Sequence, residues 1–345
     1  MIKIIDFFNP KKSFILALIY LYEIVVGRFS KNGSVSYPEL RRLIENYNRD
    51  LRVPSVLFLG DSVLLRISNH DVNTDTLDKM LSEKLGNKID VFTVSHTAYH
   101  MKVYKSLISA LFTTKSKPSL VLLPINLRSF SPQWDFYPSW QFNLEIQVAK
   151  KYLSNPRAKI ANINEITVTK PLLQLFHALP VSYPLTDYKK IGQFRKIIAS
   201  DPKNEKERNF RSRQIFIYHY MHLLIASHPK LVALEDCVWM LDKMKIPVVL
   251  YVTPINWQAG ERFVGKEFSE IVNLNVDMIR KRLLVYMTYS KIRFVDFKEL
   301  LGSGSFFTED NATEHLNQNG RSLLSEELKS LVLEMLKEES RCYEN

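Results

Sequence analysis

The segment Ser55-Val-Leu-Phe-Leu59-Gly60-Asp61-Ser62-Val-Leu-Leu65 decides the fold. Val56 to Leu59 form a short apolar run that ends at Gly60, the pattern of a strand buried on both faces. A second apolar run, Val63 to Leu65, follows the Gly-Asp-Ser triplet at once. Ser62 therefore falls at or near a helix N-terminus, where backbone N–H groups have no partner inside the helix. Gly60 reads as the turning residue, because glycine tolerates backbone angles that other residues resist.

Outward from this segment the same alternation continues. Besides Ser55 to Leu59, the segments Ile89 to Val94, Leu120 to Ile125, Pro247 to Val252 and Ile292 to Val295 read as buried strands. Helical periodicity occupies Asn73 to Leu85, Met101 to Phe112, Leu231 to Met244, Phe268 to Tyr286 and Arg321 to Leu336. Asn317 is placed to cap the last of these. Strands alternating with helices predict an α/β fold with a parallel sheet covered on both faces. Right-handed crossovers bring all strand ends to one edge, where sites collect.

The alternation stops between Ser129 and Lys230, a stretch too long for a loop in a compact domain. Helix-like patterns at Phe142 to Leu153, Ile160 to Leu179 and Phe210 to Ser227 mark a mostly helical insertion at 129–230, expected to cap the site edge. The α/β domain is then assigned to 31–128 and 231–345. At 1–30 an apolar run, Phe14 to Val26, follows Lys11-Lys12 and is interrupted by Glu23. It is short against the roughly 20 residues of a membrane span. A membrane anchor, a helix lying on a membrane surface and a helix packed on the domain all remain open. Localisation stays open with them, between the cell envelope and the cytoplasm.

The chain has 345 residues, 46% hydrophobic and 24% charged, which is ordinary globular composition and excludes a disordered chain. Its formal charge of +11 lies in short clusters such as Arg208 to Arg213. No zinc-finger spacing or RNP-like strand accompanies that charge, so a nucleic-acid partner is not expected. Two cysteines, Cys237 and Cys342, read as free thiols and carry no metal-type spacing. His219 and His222 lie one turn apart but lack a third ligand, so no metal or cofactor is expected.

Three further segments reach the same predicted edge. Pro124-Ile-Asn126-Leu ends the third strand, Pro254-Ile-Asn256-Trp257 ends the fourth, and His315-Leu-Asn-Gln-Asn-Gly320 precedes the last helix. An amide at a strand end beside a serine is suited to stabilise an oxyanion, and a histidine there can act as its base. Asn256 and Trp257 are expected to line the pocket with Asp61. Arg128 is expected to meet an anionic group of a substrate or to form an ion pair. The aromatic stretch Phe130 to Trp140 suits either a core or stacking on sugars. Asp296, after the fifth strand, reads as structural.

Gly60-Asp61-Ser62, Asn126 and His315-Leu-Asn-x-x-Gly320 together resemble the SGNH (GDSL) hydrolases, over roughly residues 52–128 and 232–338. The resemblance implies a flavodoxin-like five-stranded sheet, Ser62 as nucleophile, His315 as base, and an oxyanion hole of Asn126 with the Ser62 N–H. It also implies small acyl esters as substrates, often O-acetyl groups on saccharides or lipids, removed or transferred through an acyl-enzyme. The sequence departs from the family in three places. Pro124 and Leu127 flank Asn126 where the family has Gly and Asp. The loop Ser95-His-Thr-Ala-Tyr-His100 lacks the family's glycine, leaving the N–H of Ala98 or Tyr99 as the substitute. Ala312 stands where the family has the aspartate of the triad. Asp310 through a loop bulge, Glu309, Glu314 or a bare Ser-His dyad remain as alternatives. A catalytically silent module that binds glycan or protein is the second reading.

Overall fold

The computed structural model describes residues 37–155, 170–289 and 291–342. The strands are β1 (Ser55–Gly60), β2 (Asp90–Ser95), β3 (Leu120–Ile125), β4 (Val248–Val252) and β5 (Ile292–Asp296). They form one parallel sheet in the order β2-β1-β3-β4-β5, the flavodoxin-like doubly wound order. This is the sheet that the resemblance to SGNH hydrolases implies, and its strands lie within about a residue of those expected from the apolar runs.

Side chains alternate along each strand, so each strand feeds both faces. Leu57, Leu59, Val121, Leu123, Val248 and Leu250 point into the larger core, with the helices Met101–Ala110 and Pro229–Lys243 packed against them. Val56, Phe58, Leu120, Leu122, Val249 and Tyr251 point the other way, onto Leu77–Leu85 and the long helix Gln318–Cys342. Burial at roughly 1.5–3 kcal/mol per large apolar side chain makes these two layers the main stabilising force. Every residue of β1 and β3 is buried, as sheet interior requires.

Two glycines serve close approach rather than unusual backbone angles. A Cβ on Gly60 would lie 2.0 Å from Leu64 Cδ1, so glycine lets the Ser62–Leu65 turn fold back on β1. A Cβ on Gly320 would lie 2.3 Å from the Ser305 carbonyl oxygen, which sets the last helix against the 303–305 turn. Asn317 caps that helix: its Oδ1 accepts from the N–H groups of Asn319 and Gly320, both at 3.1 Å.

Between β3 and Pro229–Lys243 the described chain is mostly helical, with Pro132–Phe136, Asn143–Ser154, Lys170–Ala178, Ile191–Ile198 and Glu205–Tyr220. Phe176, Phe194, Phe216 and Ile217 from this stretch belong to the same core as the sheet. Lys230 is fully buried and ties the start of the stretch down: its Nζ lies 3.1 Å from Asp135 Oδ1 and donates to the Trp134 carbonyl at 3.0 Å. His228 completes the knot at 2.6 Å from Asp135 Oδ2. The charges of Lys230 and His228 outweigh burial and hold Asp135 below the usual carboxylate range. Cys237 is a buried free thiol, and the side chain of Cys342 lies outside those described. The apolar run Phe14 to Val26 also lies outside the described residues. Among the described residues no helix is long and apolar enough to cross a membrane.

Candidate active site

The C-terminal strand edge brings Ser62, Asp61, Asn126 and His315 together. Ser62 is the first residue of the Ser62–Leu65 turn, and Asp61 caps it by accepting from the Val63 N–H at 2.8 Å. That contact turns the chain so that the Ser62 hydroxyl meets His315: Oγ and Nε2 lie 3.0 Å apart. The Ser62 N–H has no hydrogen-bond partner among the described residues.

Asn126 follows β3 and faces the same turn. Its Nδ2 donates to Asp61 Oδ2 at 2.9 Å, and its Oδ1 accepts from the Arg128 N–H at 3.0 Å. Asp61 thus bridges Ser62 and Asn126. Burial raises its carboxyl above the usual range, opposed by the Val63 and Asn126 hydrogen bonds and by the charge of Arg128. In the loop after β2, which has no glycine, Ala98 adopts φ 69°, the left-handed region. The Tyr99 N–H is taken by the His96 carbonyl at 3.2 Å, whereas the Ala98 N–H has no partner among the described residues.

His315 is carried by a loop pinned at several points. Phe307 N–H donates to the His315 carbonyl at 3.0 Å, and the His315 N–H donates to Thr313 Oγ1 at 3.0 Å. Asn317 Nδ2 donates to the Gly304 carbonyl at 2.7 Å. Burial, helped by the charges of Arg128 and Arg66, pushes the His315 ring down to about 3. The ring is therefore neutral at pH 7, the state a proton acceptor needs.

The expected carboxylate partners of His315 are engaged elsewhere. Asp310 does not complete a triad: its side chain is 66% exposed and paired with Arg262. The loop bends at Asn256, which draws the Glu309 and Asn311 carbonyls inward and turns the Asp310 side chain out. Glu309 is exposed. Glu314 is fully buried but turned away from the ring. Its Oε1 accepts from the Tyr220 hydroxyl at 2.5 Å, and its Oε2 lies 3.1 Å from Arg128 Nε. Among the described residues no carboxylate hydrogen-bonds to the His315 ring.

Other expected site residues have different tasks. Asn256 does not line a pocket. It is fully buried, donates to the carbonyls of Thr308, Glu309 and Asn311, and accepts from Ser303 Oγ at 2.7 Å. Trp257 belongs to the core, edge-on to Phe268 with Lys298 over its ring. Asp61 acts as the bracket just described, with both carboxylate oxygens occupied by protein. Arg128 forms the ion pair with Glu314 and lies over the Trp134 ring at 5.2 Å. Trp134 and Trp140 stack at 4.2 Å and pack, half-buried, against the core. Asp296 accepts from the Lys298 N–H and Nζ. Burial pushes His222 down to about 3 and holds His219 well below its ordinary value. No group of three metal-ligating side chains forms among the described residues.

Sequence reasoning missed the Asn256 clamp and the Arg128–Glu314–Tyr220 contact. It also missed Arg321, which is fully buried and donates to Asp71 and to the carbonyls of Asn73, Asp75 and Leu316. The one available signal was an arginine inside an otherwise apolar helix face.

The chain is similar to several solved structures. One is a carbohydrate acetylesterase family member from Sinorhizobium meliloti, at 11% identity over 83% of this chain and 100% of that one, with a TM-score of 0.37. Another is the native M. smegmatis aryl esterase, at 12% identity over 81% and 100%, TM-score 0.33. A third is the lipase/acylhydrolase from Enterococcus faecalis, at 12% identity over 81% and 96%, TM-score 0.36. No family model matches the sequence, and no curated protein matches it.

Proposed function

We propose that the protein is a serine esterase of the SGNH type, acting on small acyl esters of a saccharide or lipid. The observation that carries this reading is the 3.0 Å contact between Ser62 Oγ and His315 Nε2 at the N-terminus of a helical turn. Ser62 Oγ attacks the ester carbonyl while its proton passes to the neutral His315. The oxyanion accepts from the Ser62 N–H, the second amide hydrogen of Asn126 and the Ala98 N–H. The C–O bond of the ester then breaks, and the leaving alkoxide takes the proton from His315. Water, or an acceptor alcohol, removes the acyl group from Ser62 by the same route in reverse. The chain 129–230 acts as a cap, since Tyr220 at its end reaches the residue next to His315.

A fluorophosphonate probe tests the nucleophile. Wild type is expected to be labelled and to turn over 4-nitrophenyl acetate; Ser62→Ala loses both, and His315→Ala labels far more slowly. Labelling that persists in Ser62→Ala removes Ser62 from the mechanism. A second reading, a silent module that binds glycan or protein, is favoured by one observation, the lack of a carboxylate at His315. It predicts no labelling and no turnover in wild type.

A further inference from the structure

Two arginines stand by the Ser62–His315 pair with hydrogen-bonding capacity unused. Arg66 directly follows the Ser62–Leu65 turn, its backbone N–H bound to the Ser62 carbonyl at 3.0 Å. Its side chain is exposed and makes no ion pair or hydrogen bond among the described residues. Arg128 follows Asn126 at the end of β3 and is 8% exposed. Its Nε lies 3.1 Å from Oε2 of Glu314, the residue before His315, and its guanidinium carbon lies 5.2 Å from the centre of the Trp134 ring. The terminal nitrogens of Arg128 have no hydrogen-bond partner among the described residues. A guanidinium engaged at one edge suits a planar or tetrahedral oxyanion at the other.

His315 sits in the opposite condition. The mechanism requires it to become positive, yet among the described residues no carboxylate hydrogen-bonds to its ring, and the adjacent Glu314 is engaged by Arg128 and Tyr220.

We propose that the ester this enzyme acts on carries an anionic group, carboxylate or phosphate, that docks on Arg66 and Arg128 and supplies a negative charge beside His315, whose ring no described carboxylate contacts. The inference rests on the esterase reading. While Oγ bonds to the carbonyl carbon and its proton moves to Nε2, the docked anion offsets both arginines and stabilises the imidazolium. When the leaving alkoxide takes that proton the stabilisation is no longer needed, and the product departs with its anion. The anion is thereby coupled to the proton transfer and not only to binding.

The test compares 4-acetoxybenzoate with its neutral analogue 4-acetoxybenzamide, each rate divided by that ester's uncatalysed hydrolysis rate. Wild type is expected to favour the anion by about tenfold or more in kcat/KM, the size of a charge-assisted contact. The acid limb of the kcat–pH profile is expected at higher pH for the anionic ester, because the anion raises the basicity of His315. Arg66→Met, and Arg128→Met made together with Glu314→Gln so that no buried charge is stranded, are each expected to reduce the preference. Benzoate should compete with 4-nitrophenyl acetate in wild type better than benzamide does, a measurement that needs no variant. Equal rates for the two esters, or benzoate no better than benzamide, overturn the inference and leave the esterase reading standing. No turnover of any ester together with no fluorophosphonate labelling overturns the esterase reading itself.

Discussion

The tripeptide Pro-Ile-Asn occurs twice at the same sheet edge, at residues 124–126 after β3 and at 254–256 after β4. The two strands are neighbours in register, with Pro124 beside Tyr251 and Ile125 beside Val252. Yet the two asparagines do different things. Asn126 joins Asp61 and the Arg128 backbone, on the Ser62 side. Asn256 binds the carbonyls of Thr308, Glu309 and Asn311, on the His315 side. An amide at a strand end has no fixed role. The loop that crosses in front of it decides whether it serves chemistry or holds a loop.

This comparison fails if the two asparagines respond alike. Asn126→Ala is expected to lower kcat by roughly 10²–10³, the usual loss of an oxyanion donor, as steady-state turnover of an acetyl ester would measure. Asn256→Ala is expected to act mainly on stability. It removes the donor to the carbonyls of Thr308, Glu309 and Asn311 and the acceptor of Ser303 Oγ, at about 1–3 kcal/mol in all. Asn256→Asp should be worse, because a carboxylate would face carbonyl oxygens. Urea unfolding checks both. A turnover defect in Asn256→Ala at unchanged stability would erase the distinction.

Gly320→Ala probes the His315 side alone. The new Cβ meets the Ser305 carbonyl, so a loss of about 1–3 kcal/mol is expected from overpacking. The urea midpoint should fall, and an unchanged midpoint would show that the 303–305 turn yields freely.

Acid acts with opposite signs on the buried histidines and the buried carboxyls. His315 and His222 are pushed down to about 3, chiefly by burial, and burial also holds His100 and His219 low. In each case the unfolded chain, with histidine near 6.5, takes up protons that the folded protein refuses. The stability is fully present above about pH 6.5 and is lost progressively as pH falls from there toward the folded values. Asp61 and Glu314, both raised by burial, shift stability the other way as pH falls through their folded values. Melting temperature is expected to decline already between pH 6.5 and 4.5. A flat profile across that window contradicts the buried, neutral histidines.

The sheet was legible because buried parallel strands are short apolar runs ended by turn residues, and Ser55 to Leu59 and Leu120 to Ile125 are unambiguous by that test. The meeting of Ser62 and His315 was legible because parallel topology sends all strand ends to one edge. Asp310 misled because spacing along the chain says nothing of which way a loop residue turns, and Asn256 turns it outward. Glu314 was legible as an alternative to Asp310, but its actual partners were not. Its partners Tyr220 and Arg128 lie 94 and 186 residues away in sequence, and such contacts follow from packing rather than from local pattern. Gly60 was expected for its backbone freedom, but it is required for the space that Leu64 fills.

The Tyr220–Glu314 hydrogen bond also bears on how the molecule opens. Asn275 grips the same segment, accepting from the Leu224 N–H at 2.8 Å and donating to the His222 carbonyl at 2.8 Å. The end of the insertion is thereby fastened both to the long helix Lys266–Tyr289 and to the residue beside His315. Amide exchange in the 307–316 loop is then expected to keep pace with that of residues 216–224 as one cooperative unit. Loosening either segment then loosens the other, so the hold on the loop that carries His315 depends in part on the insertion.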